Sequence, residues 1–421
     1  MSKFESVWFG GAGVRRAMIV GAVSMIALAS VTACAGSSAD SASGAGGVCN
    51  SPGVTADKIV VASVSPLSGP AASTFAGFVE GAKARFAVEN ENGGVNGRRL
   101  ELVTNDDLGD GAAQVTAARN AVQSQKAFGI LHASRVDTMF DYLSAQNVPV
   151  AGYPGQPAYQ EKMNAFGYAG ASLIGFYSTS MAQFMQDKGV TKLGVLANNS
   201  TGSKGGADGL VKTAGQIGLE VAATSFDIPI GAFDATSVAI QMKDAGVDGL
   251  YMPLVTDSSI SVLKAMAAQG VKLKATEMQG LYDPKITAQV GDLLQGVSGA
   301  GVGIVPIELD NESTNAFVDA MSEYGDGVDP RTGFTGPGYI SADLFIEGLK
   351  KAGDCPTRDA FISELHKVSD YGGAGLLIEP ANFASGPVPA GTPYGRCNWL
   401  VTFQGNSFVP EPEATCGEVM N

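Results

Sequence analysis

What most constrains this chain is an alternation that recurs along it: a short apolar run, a turn, then apolar residues at helical spacing. Ile59-Val60-Val61-Ala62 is the first such run, and a run apolar on both faces suits a parallel strand buried between layers of helices. After the turn-rich loop at 65–70, Phe75, Phe78, Val79, Ala82 and Phe86 mark a helix with Ser73 as its expected cap. A strand at 100–103, a helix at 112–125, a strand at 128–131, a helix at 138–147 and a strand at 149–151 follow. A second series starts with a helix from about 173 to 188, a strand at 193–197 and a glycine-rich segment at 201–209. It continues with strands at 221–226, 249–253, 275–280 and 297–302, interleaved with helices at 235–245 and 258–268. Further helices are expected at 314–324, 339–352 and 357–368. Repeated βα units with short loops make parallel sheets covered by helices on both faces, and two series make two such lobes.

The chemistry of an enzyme is missing from this frame. Two histidines, His132 and His366, are the whole imidazole supply, and a Ser–His–Asp or Cys–His set would have to use one of them. His366 reads as a solvated helix residue beside Lys367. No GxSxG elbow occurs, Gly202-Ser203-Lys204-Gly205 lacks the Ser or Thr that completes a phosphate loop, and no GxGxxG follows the first strand. Asp106 and Asp107 could pair on a metal, but adjacent residues at a strand end point apart. We therefore expect no metal and no cofactor. A formal net charge of −14 also argues against nucleic acid, because phosphate contact needs a basic face.

The N-terminus specifies location. Lys3, Arg15 and Arg16 precede an apolar run from Ala17 to Ala29 that ends in Val31-Thr32-Ala33-Cys34. This has the form of a secretory signal over 1–33 with a lipobox, Cys34 carrying the lipid. The run is shorter than the roughly 20 residues that a membrane-spanning helix needs. Residues 35–47 are almost all Ala, Gly and Ser, a flexible tether with a reach of roughly 20 Å. The four remaining cysteines, Cys49, Cys355, Cys397 and Cys416, read as two disulfides in an exported chain. Three pairings are open. We take Cys397 with Cys416, closing a C-terminal hairpin, and Cys49 with Cys355, tying down the N-terminus.

Several phrases, in order, resemble the leucine/isoleucine/valine-binding type of solute receptor for ABC importers. They are Gly53-Val54-Thr55-Ala56-Asp57-Lys58-Ile59, Ser65-Pro66-Leu67-Ser68-Gly69-Pro70-Ala71-Ala72, Glu91-Asn92-Gly93-Gly94-Val95-Asn96-Gly97-Arg98 and Asp106-Asp107. The resemblance covers about 54–408 and implies an α/β fold: two doubly wound parallel-sheet lobes joined by three hinge crossovers, near 172, 304 and 378. The first lobe is then 49–172 with 304–378, the second 173–303 with 379–421, and 34–48 the tether. The tether and the C-terminal cysteines resemble an actinobacterial lipoprotein form.

In such receptors the ligand lies between the lobes, against the carboxyl ends of strands. The resemblance places Ser68, then Ala133, Ser134 and Arg135, then Tyr153, Gly155 and Gln156 on its ligand loops, with Tyr282 and Phe334 completing the set. Amino-acid-binding relatives tend to have a Ser/Thr run where this chain has gained Arg135, and an acidic residue where it has Leu281 and Tyr282, with Asp283 or Glu277 as substitutes. These departures point to an organic acid or other carboxylate gripped by Arg135 and walled by the aromatic residues. The bland alternative is a surface Arg135 paired with Asp137 or Asp141. The implied function is a monomeric, lipid-anchored extracytoplasmic receptor handing a small molecule to an ABC permease. The alternative on the same fold is a sensor signalling to a membrane partner.

Overall fold

The computed structural model describes residues 49–169, 177–301, 303–384 and 395–420. The signal, Cys34, the tether and the first expected crossover near 172 lie outside them.

The first sheet is built from β1 (Lys58–Ser65), β2 (Arg99–Asp106), β3 (Ile130–His132), β4 (Val150–Gly152) and β5 (Ala165–Gly167). Its order is β2-β1-β3-β4-β5 with every pairing parallel. One face is covered by α1 (Phe78–Glu91), and the other by α2 (Gly111–Arg119), α3 (Phe140–Ser144) and α4 (Ala158–Glu161). The apolar run at 59–62 is thus buried on both faces, as its composition requires. Asp110 caps α2 by accepting from the amides of Ala112 and Ala113.

The helix expected from Ser73 begins later. Residues 70–77 form turns, and α1 starts at Phe78 behind Gly77 in the left-handed conformation. The Ser73 hydroxyl instead donates to Asp257 Oδ1 at 3.4 Å, far away in sequence.

After β6 (Tyr177–Ser178) and α5 (Ser180–Asp187) comes the second sheet. It uses β7 (Lys192–Asn198), α6 (Thr201–Gln216), β8 (Glu220–Ile228), α7 (Ala235–Asp244), β9 (Gly249–Met252) and α8 (Thr256–Ala268). β10 (Ala275–Met278), α9 (Pro284–Val290) and β11 (Val297–Ala300) follow. Its parallel part runs β8-β7-β9-β10-β11, the same winding as the first sheet. The glycine-rich segment at 201–209 forms the first half of α6. Packing of Ala207, Leu210 and Ala214 against the sheet overrides the low helix propensity of its glycines.

The chain then returns to the first lobe through α10 (Glu312–Tyr324), α11 (Thr335–Lys351) and α12 (Arg358–Leu365). α11 crosses α1 so closely that side chains at the contact are excluded. A Cβ on Gly81 would lie 2.0 Å from Thr335 O, and one on Gly338 2.0 Å from Phe78 O. Two backbone segments run side by side between the lobes here: Ile378 N donates to Gly303 O at 2.9 Å and Val305 N to Leu376 O at 2.9 Å.

β13 (numbered after the short β12, Cys397–Asn398) spans Leu400–Gln404 and adds antiparallel to β11. β14 (Ser407–Pro410) follows it, and β15 (Thr415–Cys416) and β16 (Val419–Met420) end the described chain. Both expected disulfides are present, Cys49–Cys355 and Cys397–Cys416. The second joins β12 to β15.

Candidate functional site

In a doubly wound sheet the strand on either side of the switch in winding leaves a crevice beyond its carboxyl end. Here the switches fall between β1 and β3 and between β7 and β9, and the two crevices face a common cavity of about 180 Å³. Roughly 10–15 Å³ of such space holds one water, so the cavity suits a small molecule. From the first lobe come Arg135, Tyr153 and Gly155, in the loops after β3 and β4. From the second come Tyr251 on β9, Glu277 on β10 and Gln279 just after it. One wall is α6 itself, through Gly202, Gly205, Gly206 and Gly209, a spacing that puts all four on one helical face. Near the far end lie Glu379 and Asn398.

Arg135 is not a surface residue. It is 3% exposed, and instead of meeting Asp137 or Asp141 its Nη2 donates to Leu254 O at 3.3 Å and to the Gln279 side-chain oxygen. Gln279 Nε2 donates in turn to Tyr153 Oη at 3.3 Å. Burial pulls the Arg135 guanidinium down from its ordinary value, against the pull of Tyr153, Tyr251 and Glu277; a guanidinium nonetheless stays charged. Its Nε has no hydrogen-bond partner among the described residues. Glu277 is 6% exposed. Burial pushes its carboxyl up to about 8, with the Arg135 charge acting in the opposite direction.

The other sequence-predicted residues are scattered more widely. Gly155 lies against α6: a Cβ on Gly202 would sit 2.7 Å from Gly155 O and 2.9 Å from Gln156 Nε2. Gln156 is buried and donates to Ser134 O at 2.9 Å. Ala133 and Ser134 are buried in the strand-end loop without lining the cavity. Ser68 is exposed and donates to Asp106 Oδ2 at 2.5 Å. Phe334 packs behind Tyr153, ring centroids 5.2 Å apart, and against Phe75 at 4.7 Å. Tyr282 lies elsewhere: its hydroxyl donates to Glu308 and its ring meets Phe408 at 4.7 Å.

Tyr251, Gln279 and the glycine face of α6 were missed by sequence reasoning. The glycines carried a signal, positions 202, 205, 206 and 209, which is helical periodicity written in glycine. Glu277 carried one too, as a lone acid inside a short buried strand.

The catalytic candidates dissolve in the geometry. His132 is fully buried, with Nδ1 2.9 Å from Tyr159 Oη and Nε2 3.2 Å from Gln114 Nε2, and burial lowers it to about 3. His366 is not a solvated helix residue: it ends α12, with Nδ1 3.0 Å from Phe383 O and Nε2 2.7 Å from Met163 O. Asp106 accepts from the amides of Leu67 and Leu108, each at 2.9 Å, and Asp107 accepts from Gly109 N at 2.9 Å and Gln114 Nε2 at 3.1 Å. Among the described residues no group of His, Cys, Asp and Glu is arranged to hold a metal ion.

Contacts between protein groups bridge the lobes around the cavity. Thr256 N donates to Thr74 Oγ1 at 2.9 Å, and Val255 is buried in the first lobe's core cluster with Ile230 packed against it.

Residues 58–389 match the family model described as periplasmic binding protein, and the chain belongs to that family. The Leu/Ile/Val-binding protein homolog 1 of Brucella suis is 26% identical over 214 residues, 49% of this chain and 57% of that protein. The chain thus matches little more than half of that curated relative's length. A leucine-binding protein from Thermotoga maritima superimposes with a TM-score of 0.70 at 16% identity, over 85% of this chain and 98% of that one. A solute-binding protein of an ABC transporter from Rhodopseudomonas palustris, solved with p-hydroxybenzoic acid, gives 0.72 at 16% identity, over 86% and 98%. These relatives are binding proteins, not enzymes, and the family implies an extracytoplasmic location. No helix among the described residues is long and apolar enough to cross a membrane.

Proposed function

We propose that this protein is a lipid-anchored solute receptor that delivers a small amino acid, or a related organic carboxylate or amide, to an ABC permease. The lobes, bounded at 49–172 with 304–378 and at 173–303 with 379–421, close over the ligand; Cys34 carries the anchor. The observation that carries the reading is Arg135. It leaves one lobe, enters the shared cavity and donates to groups of the other lobe. A ligand accepting from the same guanidinium is held by both lobes at once, so it binds the closed form better than the open one. The permease then reads closure as occupancy.

The test is a thermal-shift panel of amino acids, aliphatic and aromatic carboxylates, amides and sugars. A ligand at about a thousand times its Kd stabilises the folded state by about 4 kcal/mol, a midpoint shift of several degrees. Arg135→Ala should abolish that shift for anionic ligands. A shift confined to sugars, or one that survives Arg135→Ala unchanged, would refute the reading.

A further inference from the structure

Gly202, Gly205, Gly206 and Gly209 of α6 all line the cavity, but the fold does not require them equally. Gly202 is needed where the first turn of the helix meets the other lobe, since its Cβ would press on Gly155 O at 2.7 Å. Gly206 is under no such constraint. A Cβ there would lie 3.7 Å from Tyr251 Oη and 3.9 Å from Pro253 Cβ, ordinary contact distances, and no described atom of the first lobe comes within 4 Å of it. Both neighbours line the cavity, so a methyl at 206 would take up cavity space and displace nothing of the protein. Glycine inside a helix gives up more backbone freedom on folding than alanine does. At 206 that cost is borne with no packing contact that demands it.

An unforced glycine alone indicates no ligand: Gly215, in the last turn of the same helix, is exposed with nothing within 4 Å of its Cβ position. What sets Gly206 apart is the cavity it borders. Arg135, 3% exposed, lines that cavity too, and its buried Nε–H has no acceptor among the described residues. A buried donor without an acceptor is costly, and the cost falls when a ligand supplies one. One part of the cavity therefore holds an unanswered polar group, and the α6 wall lacks a side chain that the fold could accommodate. We infer that Gly206 sets the size of the solute: with a polar group of the ligand on Arg135, the body of the ligand lies along α6, in the space that a side chain at 206 would fill. This rests on reading the cavity as a solute site and deepens it by naming the residue that limits the body.

Eight probes carry four bodies on two kinds of head: alanine, norvaline, leucine and phenylalanine, and the matching propanoate, pentanoate, 4-methylpentanoate and 3-phenylpropanoate. Each is titrated calorimetrically into the wild-type protein, Gly206→Ala, Gly206→Leu and Gly215→Ala. Unliganded melts and circular dichroism report folding, and Gly206→Ala should melt no lower than wild type because alanine favours helix. At least one probe larger than alanine or propanoate should bind the wild-type protein. Gly206→Leu should weaken the largest-bodied binder at least tenfold and shorter ones less, moving the order of preference toward short bodies. Gly206→Ala should move it the same way to a smaller extent, which keeps the test open if the leucine variant misfolds, and Gly215→Ala should leave it alone. If the variants at 206 leave the order unchanged, or the wild-type protein binds only alanine or propanoate, the size assignment falls while solute binding stands. Silence from all eight in the wild-type protein overturns both.

Discussion

Removing the Glu277 charge should make the protein more stable, and by an amount that depends on pH. A carboxyl moved from 4.5 to about 8 costs about 5 kcal/mol more to ionise in the fold than in the unfolded chain, at about 1.36 kcal/mol per tenfold change in acidity. Between those two values the folded protein holds a proton that the unfolded chain has lost. The slope of unfolding free energy against pH is then negative. The stabilisation from the protonated carboxyl is complete below about 4.5 and is lost as pH rises through about 8. Glu277→Gln has no proton to lose. Its stability relative to wild type should therefore climb by about 3 kcal/mol between pH 5 and pH 7.5. Asp107, Asp137 and Asp283, also raised by burial, remain in both proteins and cancel in the difference. Urea unfolding of the two proteins across pH 5–8.5 gives the difference curve directly. A flat curve would mean that Glu277 titrates as it does in the unfolded chain, and the electrostatic description of the cavity would be wrong.

Other expectations follow from contacts already described. Gly202→Ala puts a methyl 2.7 Å from Gly155 O; it should weaken binding of any ligand at least tenfold while leaving the melt of the unliganded protein within a few degrees, and unchanged affinity would free α6 from any part in closure. Serines at Cys49 and Cys355 remove a link across 306 residues and should cost about 3–5 kcal/mol, read by denaturant unfolding; an unchanged midpoint refutes a stabilising role. Cys34→Ala should move the protein from the membrane fraction to the soluble one, and unaltered partitioning would remove the lipid anchor from the proposal.

The parallel strands were legible because burial on both faces forces continuous apolar runs, as at 59–62 and 193–197. So was the start of the helix expected at 357–368, which begins where the Thr357 hydroxyl accepts from Ala360 N at 3.1 Å. What stayed hidden depends on distant partners. Arg135 also read as a surface residue paired with Asp137 or Asp141, since nothing local shows that Leu254 and Gln279, more than a hundred residues away, wait across a cleft. Residues 201–209 were assigned no element, because glycine disfavours helix; packing on the sheet beneath them makes them the start of α6. Tyr282 and Phe334 were placed by the family resemblance, and that fixes neither the pull of Glu308 on one nor the packing of the other behind Tyr153.

The bridging contacts also bear on what a ligand can do. Thr74 with Thr256, Gln279 with Tyr153 and the burial of Val255 join protein to protein, so they favour the closed arrangement whatever the solute. A ligand shifts the balance between open and closed only by the free energy it adds in one of them. If the cavity is the proposed solute site, that contribution would come from the buried groups lining it, the Arg135 Nε–H, which no described group accepts, and the Glu277 carboxyl. On that proposal selectivity for a solute's polar groups and closure would depend on the same two side chains. A variant that silences either should lose discrimination between solutes and the coupling of binding to closure together, whereas a change at Thr74 or Thr256 should alter the resting balance and leave the order of preference among solutes intact.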